Sequence, residues 1–330
     1  MQYWASFRAS GEADEHARQC LITGMVGPVI DKHPAIKKVP SGTQSGVAIV
    51  SFNCAAFESY GFERNDNAPV SRRAAEAYTA ALNRLLDPSF PDPRAPTVRL
   101  PEQRVKLSDN TVAVFWTDRP TRVAAAIAPA VSAAEPEALR DLGVSLELDD
   151  SYASLPETGD VPPPSAAPIR AAHEAPWKGI SPQDLDDPSA FRLLILSGGQ
   201  GRATVRAFHT SRVRETVSAV QQWFKDIAVQ SFAGAPALYR LLRSLADRGE
   251  QKNLPPDLAG QVFLAVLSGR SMPLAVLEAA VCRCRTDPGK DRYGRVPPER
   301  AAMIKAYLNR ARQRLSATQR IDFEEVEPTM

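Results

Sequence analysis

The chain has 330 residues, of which 44% are hydrophobic, and a formal net charge of +2. This hydrophobic content supports packed cores and excludes wholesale disorder, and the length suffices for two domains or one large domain. No apolar run approaches the roughly 20 residues of a membrane-spanning helix. The start of the chain lacks the features of a signal peptide, and the four scattered cysteines predict reduced thiols in a cytoplasmic protein.

The first half of the chain contains three segments with clear local patterns. Val47–Phe52 is a short apolar run that follows a Gly-rich loop, and it predicts a strand. Ser71–Leu86 has the periodicity of an amphipathic helix, with Ser71 as its N-cap. Thr111–Trp116 is almost wholly apolar, which is typical of a central strand.

The second half combines a hairpin with a series of helices. The stretch from about 149 to 177 is acidic and rich in proline, which predicts an extended connection or surface loop. Phe191–Ser197 and Ala203–Phe208 flank a GGQG turn, and this pattern predicts a β-hairpin. The helical segments that follow have short links, which favours antiparallel packing. They are predicted at Val213–Val229, about Pro236–Arg248, Pro256–Leu267, Pro273–Arg285 and Pro298–Leu315.

Together these patterns predict the α+β class. A mixed or antiparallel β-containing N-terminal domain over residues 1–230 is expected, followed by a basic, antiparallel helical bundle over residues 231–330. In the last helix, residues such as Ala301, Ile304 and Leu308 form an apolar stripe at helical spacing. The expected consequence is that the arginines of that helix lie on its exposed side.

No catalytic or metal-binding arrangement can be assembled from the motifs. His16 and Cys20 have the spacing of two ligands on one helical turn, but a zinc site needs about two more. The glycine-rich segments Gly42–Gly46 and Gly198–Arg202 lack the lysine and Ser/Thr of a phosphate-binding loop. We therefore expect a non-enzymatic protein without a metal or another cofactor.

The modest net charge conceals a basic region near the C-terminus. Between Arg283 and Arg314 the only acidic residues are Asp287, Asp291 and Glu299. Such a region on a balanced chain indicates a polyanionic partner, whereas the alternative is a solvated helix face paired with acidic residues of the same chain.

Two further features favour binding to a polymer. The loop Gly42–Gly46 permits close backbone approach and is preceded by two lysines, while the second arm of the hairpin carries arginines on one face. The alternatives are a polar loop before a strand and an exposed face with Arg–carboxylate pairs. The candidate nucleic-acid-binding residues are Lys37, Lys38, Thr43, Gln44, Ser45, Asn53, Arg202, Arg206, Arg283, Arg285, Arg292, Arg295, Arg300, Lys305, Arg310 and Arg314.

An ordered series of motifs resembles the large subunit of the type I-C CRISPR interference complex, Cascade. The resemblance covers most of the chain and continues through the predicted hairpin and the last helices. The motifs that carry it are CLITG at Cys20–Gly24, HPAIK at His33–Lys37, the Gly42–Gly46 loop running into VSFN at Val50–Asn53, AFESYG at Ala56–Gly61, NAPVS at Asn67–Ser71, AYTAALNRLL at Ala77–Leu86, PLAVL at Pro273–Leu277 and RAAMIKAYLNR at Arg300–Arg310.

The resemblance implies a subunit of a crRNA-guided complex that does not itself cut DNA. In that family the large subunit helps to recognise the PAM, opens the duplex and supports the separated strands, while guide pairing carries sequence specificity. The implied partners are the crRNA-bearing backbone subunits, the crRNA-processing subunit, target double-stranded DNA, its displaced strand and a recruited helicase-nuclease. A membrane is not among them.

Two departures from the family pattern affect these expectations. Family members have a large region ahead of the CxxTG segment, whereas this chain has 19 residues ahead of Cys20. A compact or split variant, or a fragment, is therefore expected, and the family's PAM contacts are assigned partly to the region ahead of the CxxTG segment. The hairpin turn also differs from the family's, although Arg202 matches its arginine. The alternative function is a structural helical adaptor that docks protein subunits without touching nucleic acid.

Overall fold

A computed structural model describes the chain in nine stretches. They are residues 17–58, 61–87, 91–92, 95–99, 103–118, 186–229, 236–255, 257–287 and 296–318. The acidic, proline-rich stretch predicted at 149–177 and the candidate residues Arg292 and Arg295 lie outside them. Burial of side chains in the last helix is described only as far as residue 311.

The structure confirms the α+β class. The strands are β1 (Ala17–Gln19), β2 (Val26–Pro28), β3 (Pro91–Asp92), β4 (Ala95–Arg99), β5 (Arg104–Lys106), β6 (Thr111–Thr117), β7 (Ala190–Gly199) and β8 (Arg202–Arg212). The helices are α1 (Arg72–Leu86), α2 (Val213–Ile227), α3 (Leu238–Leu245), α4 (Leu258–Ser268), α5 (Leu274–Thr286) and α6 (Pro298–Thr318). In the described residues, no helix is long and apolar enough to cross a membrane.

The chain divides into two compact units. The first comprises residues 1–100 with 196–205, and the second comprises residues 101–195 with 206–330. The strands β7 and β8 contribute residues to both. The boundary predicted at residue 230 is a different division of the chain, and it stays a prediction.

Helix α1 is the main helix of the first unit, and it begins where the sequence predicts. Ser71 has extended backbone angles, and its side chain accepts a hydrogen bond from the Ala74 backbone N–H at 3.4 Å. The backbone N–H of Ser71 also donates to the sulfur of Cys20 at 3.3 Å. The start of α1 is therefore tied to the strand pair β1–β2, which is antiparallel.

The turn between β1 and β2 presents large apolar side chains to solvent. Leu21, Ile22, Met25 and Val26 are between 58% and 74% exposed. Backbone hydrogen bonds fix the turn: the Cys20 N–H donates to the Met25 carbonyl oxygen at 2.8 Å, and the Leu21 N–H donates to a neighbouring segment at 2.9 Å. We call Leu21–Val26 the apolar turn.

The strand predicted at Val47–Phe52 is wrong, because only two isolated bridges form there. Val47 pairs with Ile36, and Ala48 pairs with Arg202. From residue 49 the chain bends and no ladder continues, and of the apolar run only Val47 is fully buried. Apolar run length alone did not distinguish these two arrangements.

In the second unit, helices pack against a sheet. The four-stranded sheet has the order β5-β6-β7-β8, and its central strands supply Phe115 and Phe191, whose rings stack at 5.9 Å. These rings share one hydrophobic core with Val220 and Trp223 of α2, Phe263 of α4 and residues of α3, α5 and α6. Helix α2 therefore packs with the later helices and with the sheet.

The buried side of α6 differs from the predicted stripe. Ala302, Met303, Ala306 and Arg310 are buried, whereas Leu308 is 54% exposed. The spacing of three and four residues is helical, as predicted, but the face is rotated. An arginine occupies the buried face because its charge is matched inside the fold.

Candidate nucleic-acid interface

The glycine-rich loop Gly42–Gly46 is a tight turn held by its own polar side chains. The Thr43 hydroxyl donates to the Gly46 carbonyl oxygen at 2.5 Å and lies 3.1 Å from the Ser45 hydroxyl. Gly46 has φ of 100°, and a Cβ there would lie 2.8 Å from backbone oxygen. Thr43, Gln44 and Ser45 are all exposed, so the loop is shaped and still open to a partner.

The β7–β8 hairpin turn packs directly on this loop region. The Ala48 N–H donates to the Gly201 carbonyl oxygen at 2.9 Å, and the Ala203 N–H donates to the Ala48 carbonyl oxygen at 2.9 Å. A Cβ added to Gly198 would lie 2.1 Å from the Pro40 carbonyl oxygen. Two glycine-rich segments that are far apart in sequence therefore form one surface in the first unit.

This contact brings Arg202 and Asn53 together. A guanidinium nitrogen of Arg202 donates to the Asn53 side-chain oxygen, across 149 positions of the sequence. Both residues are exposed. We call residues 37–46, Asn53 and Arg202 the loop–hairpin surface.

The two lysines of this surface differ in their surroundings. Lys38 has φ of 62°, and its ammonium lies 2.7 Å from the Asp87 carboxylate. The backbone N–H of Lys37 donates to the Asn83 side-chain oxygen at 2.7 Å, while the residue is exposed. The main-chain hydrogen bond leaves the Lys37 ammonium available for a phosphate.

Two arginines of the helical region bind groups of the chain itself. Arg283 pairs with Asp247, and its guanidinium is 3.4 Å from Asp287. Arg300 donates to the carbonyl oxygens of Ser244 at 3.0 Å and Arg283 at 2.9 Å, and to the Asp287 carboxylate at 2.5 Å. Their side chains are only 18% and 11% exposed, so they join α3, α5 and α6.

Arg310 is buried, which corrects the expectation that it lies on the exposed side of α6. Its guanidinium is 2.8 Å from the Asp226 carboxylate, and both side chains are 1% exposed. It also donates to the Ala265 carbonyl oxygen, and to that of Arg270 at 3.0 Å. The guanidinium carbon lies 5.7 Å from the centre of the Trp223 ring. Arg310 therefore has a structural role within this bundle.

The remaining candidates have mixed positions. Arg285 is exposed on the last turn of α5. Lys305 is exposed and donates to the Ala228 carbonyl oxygen, and Arg206 is 3.0 Å from the Asp257 carboxylate. The side chain of Arg314 lies outside the described residues. Of the candidates that the structure describes on the C-terminal helices, Arg283, Arg300 and Arg310 are held in ion pairs, whereas Arg285 and Lys305 are exposed.

The partners of these arginines were not predicted from the sequence. Asp226 and Trp223 lie in α2, and Arg310 lies 84 positions after Asp226. A carboxylate on the otherwise apolar face of an amphipathic helix is a pattern that predicts a buried partner. It does not say which of the later arginines that partner is.

Two titratable groups near α1 are tuned by burial and hydrogen bonding. The backbone N–H of Ser71 lowers the pKa of the Cys20 thiol from 9.0 to about 6. Burial lowers the pKa of His33, whose Nδ1 lies 2.6 Å from the Tyr78 hydroxyl. A neutral, buried histidine in such a contact supports packing of the first unit. In the part of the chain that the structure describes, no three His, Cys, Asp or Glu residues cluster as metal ligands would.

These features define an α+β protein with an exposed polar surface on one unit and an ion-paired helical region on the other. Residues 1–329 match the family model described as CRISPR-associated protein (Cas_Csd1), and the chain belongs to this family. The family supports a role as a subunit of a CRISPR Cascade complex. A search of the curated proteins found no match.

Proposed function

We propose that this chain is a non-catalytic subunit of a crRNA-guided, type I-C CRISPR surveillance complex. It binds target DNA, at the PAM-proximal duplex, the displaced strand or both, and supports R-loop formation before a helicase-nuclease cuts. Its partners are the crRNA-bearing backbone and crRNA-processing subunits. In such a complex, base pairing with the guide supplies sequence specificity while protein groups contact the backbone.

The loop–hairpin surface is the observation that carries this proposal. It places the exposed Lys37 and Arg202 beside the hydroxyl and amide groups of a tight loop. Cationic side chains, hydroxyls and amides are the groups that contact phosphate oxygens. A Cβ on Gly42 or Gly46 would lie within 3 Å of the chain itself, so these glycines let the loop fold tightly and hold its polar side chains at the surface.

A structural adaptor is the second candidate, and the ion pairs of the helical region favour it. Arg283, Arg300 and Arg310 are matched by Asp247, Asp287 and Asp226. A helical region whose arginines are matched internally can dock other subunits without contacting a phosphate. The two candidates differ in whether this chain contacts nucleic acid at all.

The test is a titration of fluorescent target duplex with the reconstituted crRNA-bearing complex between low and high salt. Lys37→Ala is expected to weaken binding and to reduce the slope of log K against log salt by about 1, as for one lost phosphate contact. Lys225→Ala, which removes an exposed lysine of α2, is the matched control and leaves the slope unchanged.

Three outcomes are distinguishable. An unchanged slope in the Lys37→Ala complex contradicts the loop–hairpin surface as a phosphate contact. A complex that forms but gives no crosslink from this chain to RNA or DNA favours the adaptor. A chain that does not assemble with the crRNA-bearing subunits contradicts the proposed function altogether.

A further inference from the structure

One face of the four-stranded sheet carries two aromatic rings outside the hydrophobic core. Phe208 of β8 is 59% exposed, and Trp116 of β6 is partly exposed. The centres of their rings are 6.2 Å apart, at an interplanar angle of 39°. Because β7 lies between β6 and β8 in the sheet, the two rings meet over β7.

This aromatic pair lies on the side of the sheet away from the core. Phe115, which precedes Trp116, is fully buried in the hydrophobic core, and Ala207, which precedes Phe208, packs against that core. Alternate residues of a strand point to opposite faces, so Trp116 is directed away from the helices. Val112 and Val114, which share the face of Trp116, are buried, whereas Phe208 on the edge strand β8 is open to solvent.

Cationic side chains accompany the rings. Arg206 and Arg212 are exposed on β8, two positions before and four positions after Phe208, and β8 contains no Asp or Glu. Arg192 of β7 pairs with Asp118, and Arg206 is 3.0 Å from Asp257. Ion pairs at this level of exposure add little stability, so a phosphate can displace either carboxylate. Before a phosphate binds, the ion pair orients the guanidinium.

An apolar ring flanked by arginines matches the chemistry of an unpaired nucleotide. Bases stack on aromatic side chains without sequence preference, and arginines follow the phosphates of the same strand. Alternate residues of a strand are about 6.7 Å apart, so Arg206 and Phe208 can serve one phosphate and its adjoining base. A duplex fits this surface less well, because stacking covers the faces of its internal bases. An apolar protein surface also fits less well, because it has no negative charge to pair with the arginines.

We propose that this face of the sheet, with Trp116, Arg192, Arg206 and Phe208, binds a single strand of nucleic acid through stacking of an unpaired base on Phe208. The strand is either RNA or DNA, since stacking is common to both. This inference rests on the proposed function for its biological partner, because a guided complex contains both a guide and a displaced strand.

The test measures binding of the full chain to fluorescent oligodeoxythymidine, oligouridine and a DNA duplex. Phe208→Ala is expected to weaken single-strand binding about tenfold or more, as for the loss of one stacked base, with little effect on the duplex. Phe208→Trp retains binding because it keeps the ring. Leu274→Ala, which removes a side chain of α5 that is 55% exposed, is the control and changes neither single-strand binding nor duplex binding. Thermal unfolding of each variant verifies that the fold persists.

The comparison of the two oligonucleotides identifies the source of the strand. If Phe208→Ala loses more affinity for oligouridine, the strand that binds is the guide. If it loses more affinity for oligodeoxythymidine, the strand is the displaced strand of the target. Equal affinity of wild type and Phe208→Ala, an equal loss on duplex and single strand, or ultraviolet crosslinks from Phe208 to protein alone would overturn the proposal. If the assembled complex fails to bind its target while single-strand binding still depends on Phe208, the proposed function fails and this site stands.

Discussion

At the scale of single residues, the buried ion pair of Arg310 and Asp226 is the most demanding feature of the helical region. Both side chains are 1% exposed, and removal of one partner leaves the other charge buried without compensation. The guanidinium also donates to the Ala265 and Arg270 carbonyl oxygens. The pair therefore fixes α6 against α2 and the end of α4.

Replacement of Arg310 by Met is expected to lower the free energy of unfolding by about 3–5 kcal/mol, since Asp226 then remains charged in the core. Urea unfolding followed by circular dichroism measures the loss. Arg240→Met is the control, because Arg240 is 55% exposed in its pair with Glu299 and its loss costs at most about 1 kcal/mol.

The double variant Arg310→Met with Asp226→Leu isolates the coupling between the two charges. Both charges are then absent, so the double variant is expected to be more stable than Arg310→Met alone. A double variant that loses the sum of the two single effects would contradict a direct interaction.

The Cys20 thiol gives the first unit a stability that depends on pH. Hydrogen bonds to the thiolate, the strongest effect being that of the Ser71 N–H, lower its pKa from 9.0 to about 6. Between these values the folded chain holds the thiolate while the unfolded chain holds the thiol. Stability should therefore rise from pH 6 to pH 9 and be lost as the pH falls through 6.

Urea midpoints measured across this range test the thiolate. Cys20→Ser should flatten the rise, because a serine hydroxyl does not ionise there, and Cys54→Ser should leave it intact since Cys54 is exposed. A wild-type profile that is flat between pH 6 and pH 9 would show that Cys20 remains a thiol in the folded chain.

At the scale of elements, contact between two glycine-rich turns makes the loop–hairpin surface. Gly198 approaches so closely that a Cβ would lie 2.1 Å from the Pro40 carbonyl oxygen, whereas a Cβ on Gly199 has nothing within 4 Å. Adjacent glycines of one turn thus have different roles. Gly198 permits packing, and Gly199 does not meet the loop.

Gly198→Ala should separate the turn from the loop and cost about 1–3 kcal/mol of stability, as overpacking does. Gly199→Ala is the matched control and should be nearly neutral. Thermal unfolding measures the cost, and proton exchange at the amide of Ala48, which donates to Gly201, reports the separation. Equal behaviour of the two variants would contradict the close contact.

The elements that the sequence predicts well are those with local causes. The N-cap at Ser71 and the periodicity after it predict α1, and the glycines between two β-rich runs predict the β7–β8 hairpin. The strand expected at Val47–Phe52 fails because its partners, Ile36 and Arg202, form single bridges. Whether an apolar run pairs along its whole length depends on segments that are distant in the sequence.

The same reason limits the prediction of the site. Composition identifies the loop lysines and the arginines, but it does not identify their partners. The contact of Arg202 with Asn53 and the burial of Arg310 depend on residues 149 and 84 positions away. Basic residues of a helix therefore look alike in sequence although some are internal and others are open to solvent.

At the scale of the whole molecule, α2 is needed by the helices that follow it. Trp223 and Asp226 of α2 contact Arg310 of α6, and Val220 belongs to the same hydrophobic core as α3 to α6. A fragment of residues 231–330 would lack these side chains. Its core would then contain an arginine without a carboxylate.

We expect the isolated fragment 231–330 to unfold without a cooperative transition, whereas the full chain unfolds cooperatively. Thermal denaturation followed by circular dichroism and by calorimetry distinguishes the two cases. A sigmoidal transition of the fragment with matching calorimetric and van't Hoff enthalpies would show that the predicted boundary at residue 230 separates independent domains.

The apolar turn Leu21–Val26 has a consequence for the behaviour of the chain in concentrated solution. Its side chains stay in contact with water because hydrogen bonds hold the turn outward. Salts that are excluded from protein surfaces strengthen association between such groups. Ammonium sulfate should therefore precipitate the free chain at a lower salt concentration than a variant in which Ile22 and Met25 are replaced by serine. The six residues of the apolar turn would then control the colloidal stability of the chain.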